Sequence, residues 1–313
     1  MDYKRFIFIS AFLLTQVFSY SIDGGFFTQA QGAKSAALGG SGMFTEDGGN
    51  PQLLLTMDNP TIGFGIGNIY SGLVKGNYFS STLHMNDIPL YIGVFTRRVN
   101  GIPDTRNAWQ DDGNTIPEPG EINYFKITTI QQQEIGVKIA SAQSWKQIYF
   151  STMLKPHYQV LAENSRFGMG IDINASYEIT RGVTIAGKLE NALGMYTWNT
   201  GSIEKNLPRL KMGGVMQYNS IQAGGELGKE IRQGSELLYT LGGEILLQTN
   251  VFIRVGKSNN SKVTAGVGIK FPYLQLDYAF VQPAEELPFK ATQFFTLSFF
   301  TKELYRFKGK ITP

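Results

Sequence analysis

From Thr61 onward, apolar and polar positions alternate with a period of two, the pattern of extended strands that present two unlike faces. In Val263-Thr264-Ala265-Gly266-Val267-Gly268-Ile269-Lys270-Phe271 every odd position is apolar and every even one is small or polar. Leu274 to Phe280, Phe167 to Ala175 and Val183 to Glu190 follow the same rule. One face therefore collects Asp172, Lys188, Glu190, Glu244, Arg254, Lys270 and Asp277, and the other is greasy. The alternation predicts fourteen strands, near 61–69, 73–84, 88–98, 125–141, 146–158, 167–179, 183–192, 207–217, 221–228, 237–247, 251–256, 263–271, 274–281 and 293–300.

A soluble sandwich and a membrane barrel both alternate, and alternation alone does not say which face looks inward. Strand length, aromatic placement and connection length favour the barrel. The strands are about ten residues long, near the ~9–11 that a tilted membrane strand needs. Aromatics gather near strand ends, as at Tyr70, Tyr78-Phe79, Tyr149-Phe150, Phe271 and Tyr273, where interfacial girdles lie. The turns at Asn86-Asp87, Thr180-Arg181, Asn219-Ser220, Thr249-Asn250 and Pro272 are tight and fall at one end. The long connections 99–124, 159–166, 193–206, 229–236 and 282–292 fall at the other, with short exceptions near Gly72 and 258–260. Short inner turns opposite long outer loops are the habit of bacterial outer-membrane barrels. The expected fold is an all-β, transmembrane antiparallel β-barrel spanning 61–300.

The residues before the barrel supply a route to that membrane. Lys4 and Arg5 precede an apolar stretch from Phe6 to Phe18, and Ser19-Tyr20-Ser21 offers small residues at the cleavage-defining positions. This reads as a signal peptide over 1–21, cut after Ser21. The stretch 22–60 does not alternate. Asn50 can cap and Pro51 can open a short helix there, and Leu53, Leu54 and Leu55 give it an apolar surface suited to a plug in the lumen. Residues 301–313, with several lysines, read as a periplasmic tail.

Composition removes other classes. There is no cysteine, so disulfides, thiolate metal sites and a cysteine nucleophile are excluded. Charged residues make up 17%, against about a quarter in ordinary soluble proteins, while glycine reaches 36 residues. The net charge of +3 is scattered, with no basic run to track a phosphate backbone, so nucleic acid is not expected as a partner. His84 and His157 lie on different predicted strands without metal-ligand spacing. Gly40-Ser41-Gly42 lacks the frame of a nucleophile elbow, and Gly63-x-Gly65-x-Gly67 continues a strand instead of opening a helix. No cofactor is expected.

Two constellations remain. Asp111, Asp112, Asn114, Glu118 and Glu121, with the Ile116 carbonyl, place oxygens along one loop in the manner of a calcium site. Thr115 stands where such loops need glycine and the loop is one residue short, which favours a solvated acidic loop over calcium. On the polar face, Glu190, Glu226, Glu244 and Asp277 can pair with Lys188, Lys211, Arg254 and Lys270 across neighbouring strands, either wedging a lumen shut or lining it.

Three stretches resemble the PorV/PorQ-type barrels of the FadL-like outer-membrane superfamily. The first is Gly32-Ala33-Lys34-Ser35-Ala36-Ala37-Leu38-Gly39-Gly40, then Glu46-Asp47 and Asn50-Pro51, similar to the family's N-terminal signature. Here Gln52-Leu53 replaces an Ala-Gly pair, and the spacer is shorter. The second runs through Gly243-Glu244, Arg254-Val255-Gly256, 264–269 and 276–280; the third is the loop with Gly101-Ile102-Pro103, Ala108-Trp109 and 111–121. The resemblance implies a fourteen-stranded barrel with an N-terminal plug in the outer membrane of a Gram-negative-type bacterium. It implies a non-enzymatic role, with outer-membrane lipid around the barrel. PorV-like members receive type IX secretion cargo and hand it to other proteins of that system, which is the leading expectation. FadL-like members move hydrophobic compounds such as long-chain fatty acids, which is the alternative.

Overall fold

The computed structural model describes residues 26, 27, 32–47, 49–86, 88–110, 113, 119–285 and 289–302. The alternating segments form β1 (Thr61–Ile69), β2 (Val74–Met85), β3 (Ile88–Asp104), β4 (Thr128–Trp145) and β5 (Ile148–Leu161). They continue as β6 (Asn164–Thr180), β7 (Val183–Trp198), β8 (Ile203–Lys205), β9 (Arg209–Tyr218) and β10 (Ile221–Glu230). The last are β11 (Leu237–Leu247), β12 (Val251–Ser258), β13 (Ser261–Lys270), β14 (Leu274–Pro283) and β15 (Thr292–Phe300). Each barrel strand pairs antiparallel with the next, and β1 returns to β15 from Thr61↔Phe300 to Asn68↔Gln293. The short β8 rides on the edge of β7 beside β9, so the closed ring contains fourteen strands. Closure leaves no barrel strand as a free edge, which is what lipid requires.

The two faces are inverted relative to a soluble protein. On β13, Val263, Val267 and Ile269 point outward, with Val267 50% exposed, while Thr264 is buried at 2%. On β12, Arg254 is 1% exposed and its neighbours Ile253 and Val255 are exposed. Phe64, Ile66, Phe167, Met169 and Phe295 also stand on the outside. An apolar exterior around a charged interior is favourable only where lipid replaces water outside, so this is a transmembrane barrel of the outer-membrane type. Gly63, Gly65 and Gly67 belong to the inward face of β1.

One end of the ring carries the tight turns. Asn86, Lys146, Gly182, Asn219, Gln248 and Thr249 adopt positive φ there, consistent with two- and three-residue reversals. Several sequence-based boundaries need correction. Lys146 opens a turn and not a strand, and the reversal expected at Thr180-Arg181 falls at 181–182. The predicted outer loop 159–166 is a tight reversal at Ala162-Glu163, with Ala162 at φ 53°. β3 runs on to Asp104 and β7 to Trp198, consuming much of two other expected loops. These extensions carry polar residues such as Asn100, Asp104 and Thr197, and strands standing clear of lipid lose the greasy alternation that revealed the rest.

Of the other segments, residues 1–21 and 303–313 lie outside the described residues, so the expected signal peptide and most of the expected tail do too. Thr301 ties the end of β15 to the start of β1, its backbone N–H donating to the Pro60 carbonyl at 2.9 Å.

Candidate functional site: the barrel lumen

Residues 32–56 pack against inward faces on several sides of the ring. Helix α1 (Ala33–Ala37) is followed by Gly39 and Gly40 at φ +74° and +82°, a left-handed pair that reverses the chain and lets the Gly40 N–H donate to the Ser35 carbonyl at 2.8 Å. This turn rests on a floor made of backbone. A Cβ on Gly242 would sit 2.7 Å from the Leu38 carbonyl oxygen, and one on Gly256 would sit 2.7 Å from the Leu38 carbonyl carbon. Gly242 and Gly256 are register partners on β11 and β12, and Gly266 on β13 is in similar contact with Ala37. Absent side chains thus create the seat. Thr264 donates its hydroxyl to the Ala37 carbonyl at 2.7 Å, and the Ala33 N–H donates to the Thr296 hydroxyl at 2.9 Å.

The Tyr78 hydroxyl also donates to Thr296, at 2.9 Å, and its ring lies across Gly65 on the neighbouring strand. Tyr78 therefore faces the lumen and is no part of an outer aromatic girdle. Its place at the strand's middle, opposite a glycine, explains the difference. Phe271 and Tyr273 are exposed at the tight-turn end, as a girdle requires.

Charge fixes the next stretch of the segment. Glu226 on β10 accepts from the Ser41 hydroxyl and from the Gly42 N–H, each at 3.1 Å, through one oxygen, while its other oxygen pairs with Lys188. Asp47 accepts from Thr45 at 2.9 Å and lies 3.4 Å from the Lys138 ammonium. Asn50 caps helix α2 (Pro51–Leu55), accepting from the Gln52 N–H at 3.2 Å and donating to the Met43 carbonyl at 3.1 Å. Gln52 donates to Glu178 at 2.9 Å and accepts from Thr184, tying the helix to β6 and β7. Leu54 is fully buried with Tyr91, Phe95 and Met153, and Leu55 packs beside it. Gly39, Gly40, Asp47, Asn50 and Pro51 thus lie on the stretch of chain that packs against the inward faces of the strands.

The inward charges are gathered as pairs. Lys188 meets Glu226, Lys211 meets Glu190 at 2.7 Å, and Arg254 meets both Glu244 and Asp277 at 2.5 Å. Lys270 stands 5.0 Å from the Phe300 ring centre. Sequence reasoning did not assemble Lys155 with Asp172 at 2.6 Å, nor Arg97 with Glu134. Lys155 precedes Pro156, and a proline inside the strand hides the alternation. His157 is buried between Phe26, Phe27 and Tyr196, far along the chain from the exposed His84, and among the described residues no group of metal-ligating side chains forms. Of the proposed calcium ligands, Asp111, Asp112, Asn114 and Glu118 lie outside the described residues, and the Glu121 carboxylate accepts from the Trp109 indole at 2.9 Å.

Among the described residues, two cavities adjoin this segment. Toward the tight-turn end a space of 450 Å³ is walled by Lys138, Lys155, Lys188, Glu190 and Asp277, and Lys270 also lines it. Toward the other end a space of 570 Å³ has an apolar side of Ile69, Tyr70, Leu238, Val281 and Phe294, with Arg209, Glu230 and Arg232 also on its wall. Gly40 and Lys211 line both. The Ala36–Gly40 turn therefore stands between a charged chamber and a half-apolar one. Beside them, the β7–β9 ladder stops at Glu190↔Arg209, and Asn191 enters a positive-φ bulge.

No family model matches the sequence, and no curated protein matches it. Solved structures do. The toluene transporter TodX of Pseudomonas putida is similar at a TM-score of 0.59 and 12% identity, over 91% of this chain and 99% of that one. The monoaromatic hydrocarbon channel CymD gives 0.57 and 11%, over 88% and 97%. A Pseudomonas aeruginosa FadL homologue gives 0.52 and 10%, over 86% and 98%. At these identities the likeness is one of fold, and the fold is FadL-like.

Proposed function

We propose that this protein is a FadL-like channel of the bacterial outer membrane that passes an apolar small molecule, with residues 32–56 as its plug. The observation that carries the reading is the half-apolar outer cavity seated directly on the Gly39-Gly40 turn. An apolar ligand buries surface against Ile69, Leu238, Val281 and Phe294, and its way inward lies past the turn or through the wall. The interrupted ladder at Asn191 supports this, since a weak seam in a barrel wall is where bonds are fewest. The similar channels for toluene and other monoaromatic hydrocarbons make that chemistry the first to try.

Residues 1–21 act in this reading as the export signal. The test is uptake of radiolabelled toluene, and separately of a long-chain fatty acid, by proteoliposomes holding the barrel. Saturable uptake that falls when Leu238→Asp puts a charge on the apolar wall supports the channel. Uptake no faster than in empty liposomes overturns it.

Cargo hand-over of the PorV kind is the second reading. It is favoured by Trp109, Tyr124 and Phe125 standing exposed on the long outer connection, with Phe125 wholly uncovered. Recovery of secretion-system proteins with the detergent-solubilised barrel, alongside absent uptake, would put this reading first.

A further inference from the structure

Lys75 on β2 and Arg98 on β3 are direct register partners, and both side chains are exposed on the outer wall. They belong to a polar row that crosses the ring through Gln293, Asn68, Lys75, Arg98 and Gln133, each paired with the next. The next outward row toward the tight-turn end runs Phe295, Ile66, Asn77, Thr96 and Ile135, polar only on β2 and β3, and the one after it holds Phe64, Phe79 and Val94. The row therefore marks the upper limit of the apolar band on this side of the barrel.

Like charges directly opposite on a sheet repel, so this pair destabilises the wall unless an anion joins it. Arg98 donates to Asn100 and to Gln131, each at 2.7 Å, and both acceptors are neutral. Among the described residues no carboxylate pairs with either cation, whereas Lys188, Lys211 and Arg254 inside the barrel each have one. Just below, Asn77 donates to Thr96 at 3.4 Å, adding polar groups at the same boundary.

We propose that Lys75 and Arg98 form a binding site for the phosphate of an anionic lipid headgroup in the outer leaflet. The lipid's chains would lie against Ile66, Phe79 and Val94, and its phosphate would meet the two cations at the depth where headgroups begin. The site rests on the barrel's placement in the outer membrane and is independent of what the lumen carries.

The test uses the full chain in nanodiscs and detergent micelles. Probes are lipid A, lipid A with its phosphates removed, and inorganic phosphate. The expected result is preferential binding of phosphorylated lipid, weakened about fivefold by Lys75→Gln or Arg98→Gln and about thirtyfold by both. Lys262→Gln, at a cation already paired with Glu285, is expected to change nothing. Equal binding of the phosphate-free lipid, equal competition by inorganic phosphate, or an unaffected double variant would overturn the site. Heat-modifiable migration on gels shows that the variants still fold. A barrel that will not enter nanodiscs overturns the membrane placement itself, whereas one that enters and ignores phosphate sinks this proposal alone.

Discussion

Glu226 accepts the Ser41 hydroxyl at 3.1 Å, joining the barrel wall to a segment 185 residues earlier in the chain. The same carboxylate holds Lys188 and the Gly42 N–H, so one wall residue joins a lumenal cation to the chain at 41–42. Replacing it by glutamine leaves the buried Lys188 ammonium without its counter-charge, while the amide oxygen can still accept from Ser41. Glu226→Gln is therefore expected to cost about 3 kcal/mol, and Ser41→Ala about 1 kcal/mol, in urea unfolding of the detergent-solubilised protein. Single-channel recordings should show larger conductance for Glu226→Gln, because the segment it anchors is loosened.

The seat of the Leu38-Gly39 turn predicts a position-specific glycine effect. A methyl on Gly256 meets main-chain atoms of Leu38 and Gly39, which cannot swing aside as a side chain can. Gly256→Ala should destabilise by about 1–3 kcal/mol through overpacking. Gly187→Ala, with nothing within 4 Å of the added carbon, should be neutral. Equal effects at the two sites in the same unfolding assay would show that the turn does not rest there.

A pH effect is expected at the outer end. Arg106 links Asp104 to Glu163, and its hydrogen bonds to Glu163 hold that carboxyl below its ordinary value of 4.5. A depressed carboxyl stabilises the folded contact above its ordinary range and stops doing so as pH falls through the lower folded value. Hydrogen exchange in residues 105–110 should therefore be slower in the native protein than in Glu163→Gln near neutrality, and the two should converge in acid. The Arg106 and Glu163 side chains are solvated, so the difference should also shrink in high salt.

Much of the barrel was legible because lipid imposes a strict rule on each membrane-facing strand. Val263 to Phe271 and Thr61 to Ile69 announce themselves by that rule, and the tight turn at Asn219-Ser220 announces itself by its residues. Above the lipid the rule lapses, and so β3 beyond Arg98 and β7 beyond Ala192 read as loop. In the lumen, the alternation exposed Lys188, Glu190, Lys211, Glu226 and Arg254 as inward charges. It could not reveal that Lys188 reaches Glu226 two strands away in the ring, since register beyond the next strand leaves no trace in the sequence. The glycine seat was hidden for another reason: a missing side chain does not say what fills its place.

The account depends on which face of the strands meets lipid, and the cysteine-free chain allows that to be measured directly. Single cysteines placed in turn along 263–269 of β13 can carry a nitroxide in proteoliposomes, with collision rates read against membrane-dissolved oxygen. Accessibility to oxygen is predicted to peak at Val263→Cys, Ala265→Cys, Val267→Cys and Ile269→Cys and to drop at Thr264→Cys. Peaks at the even positions, or no period of two, would contradict the inverted barrel and everything built on its lumen.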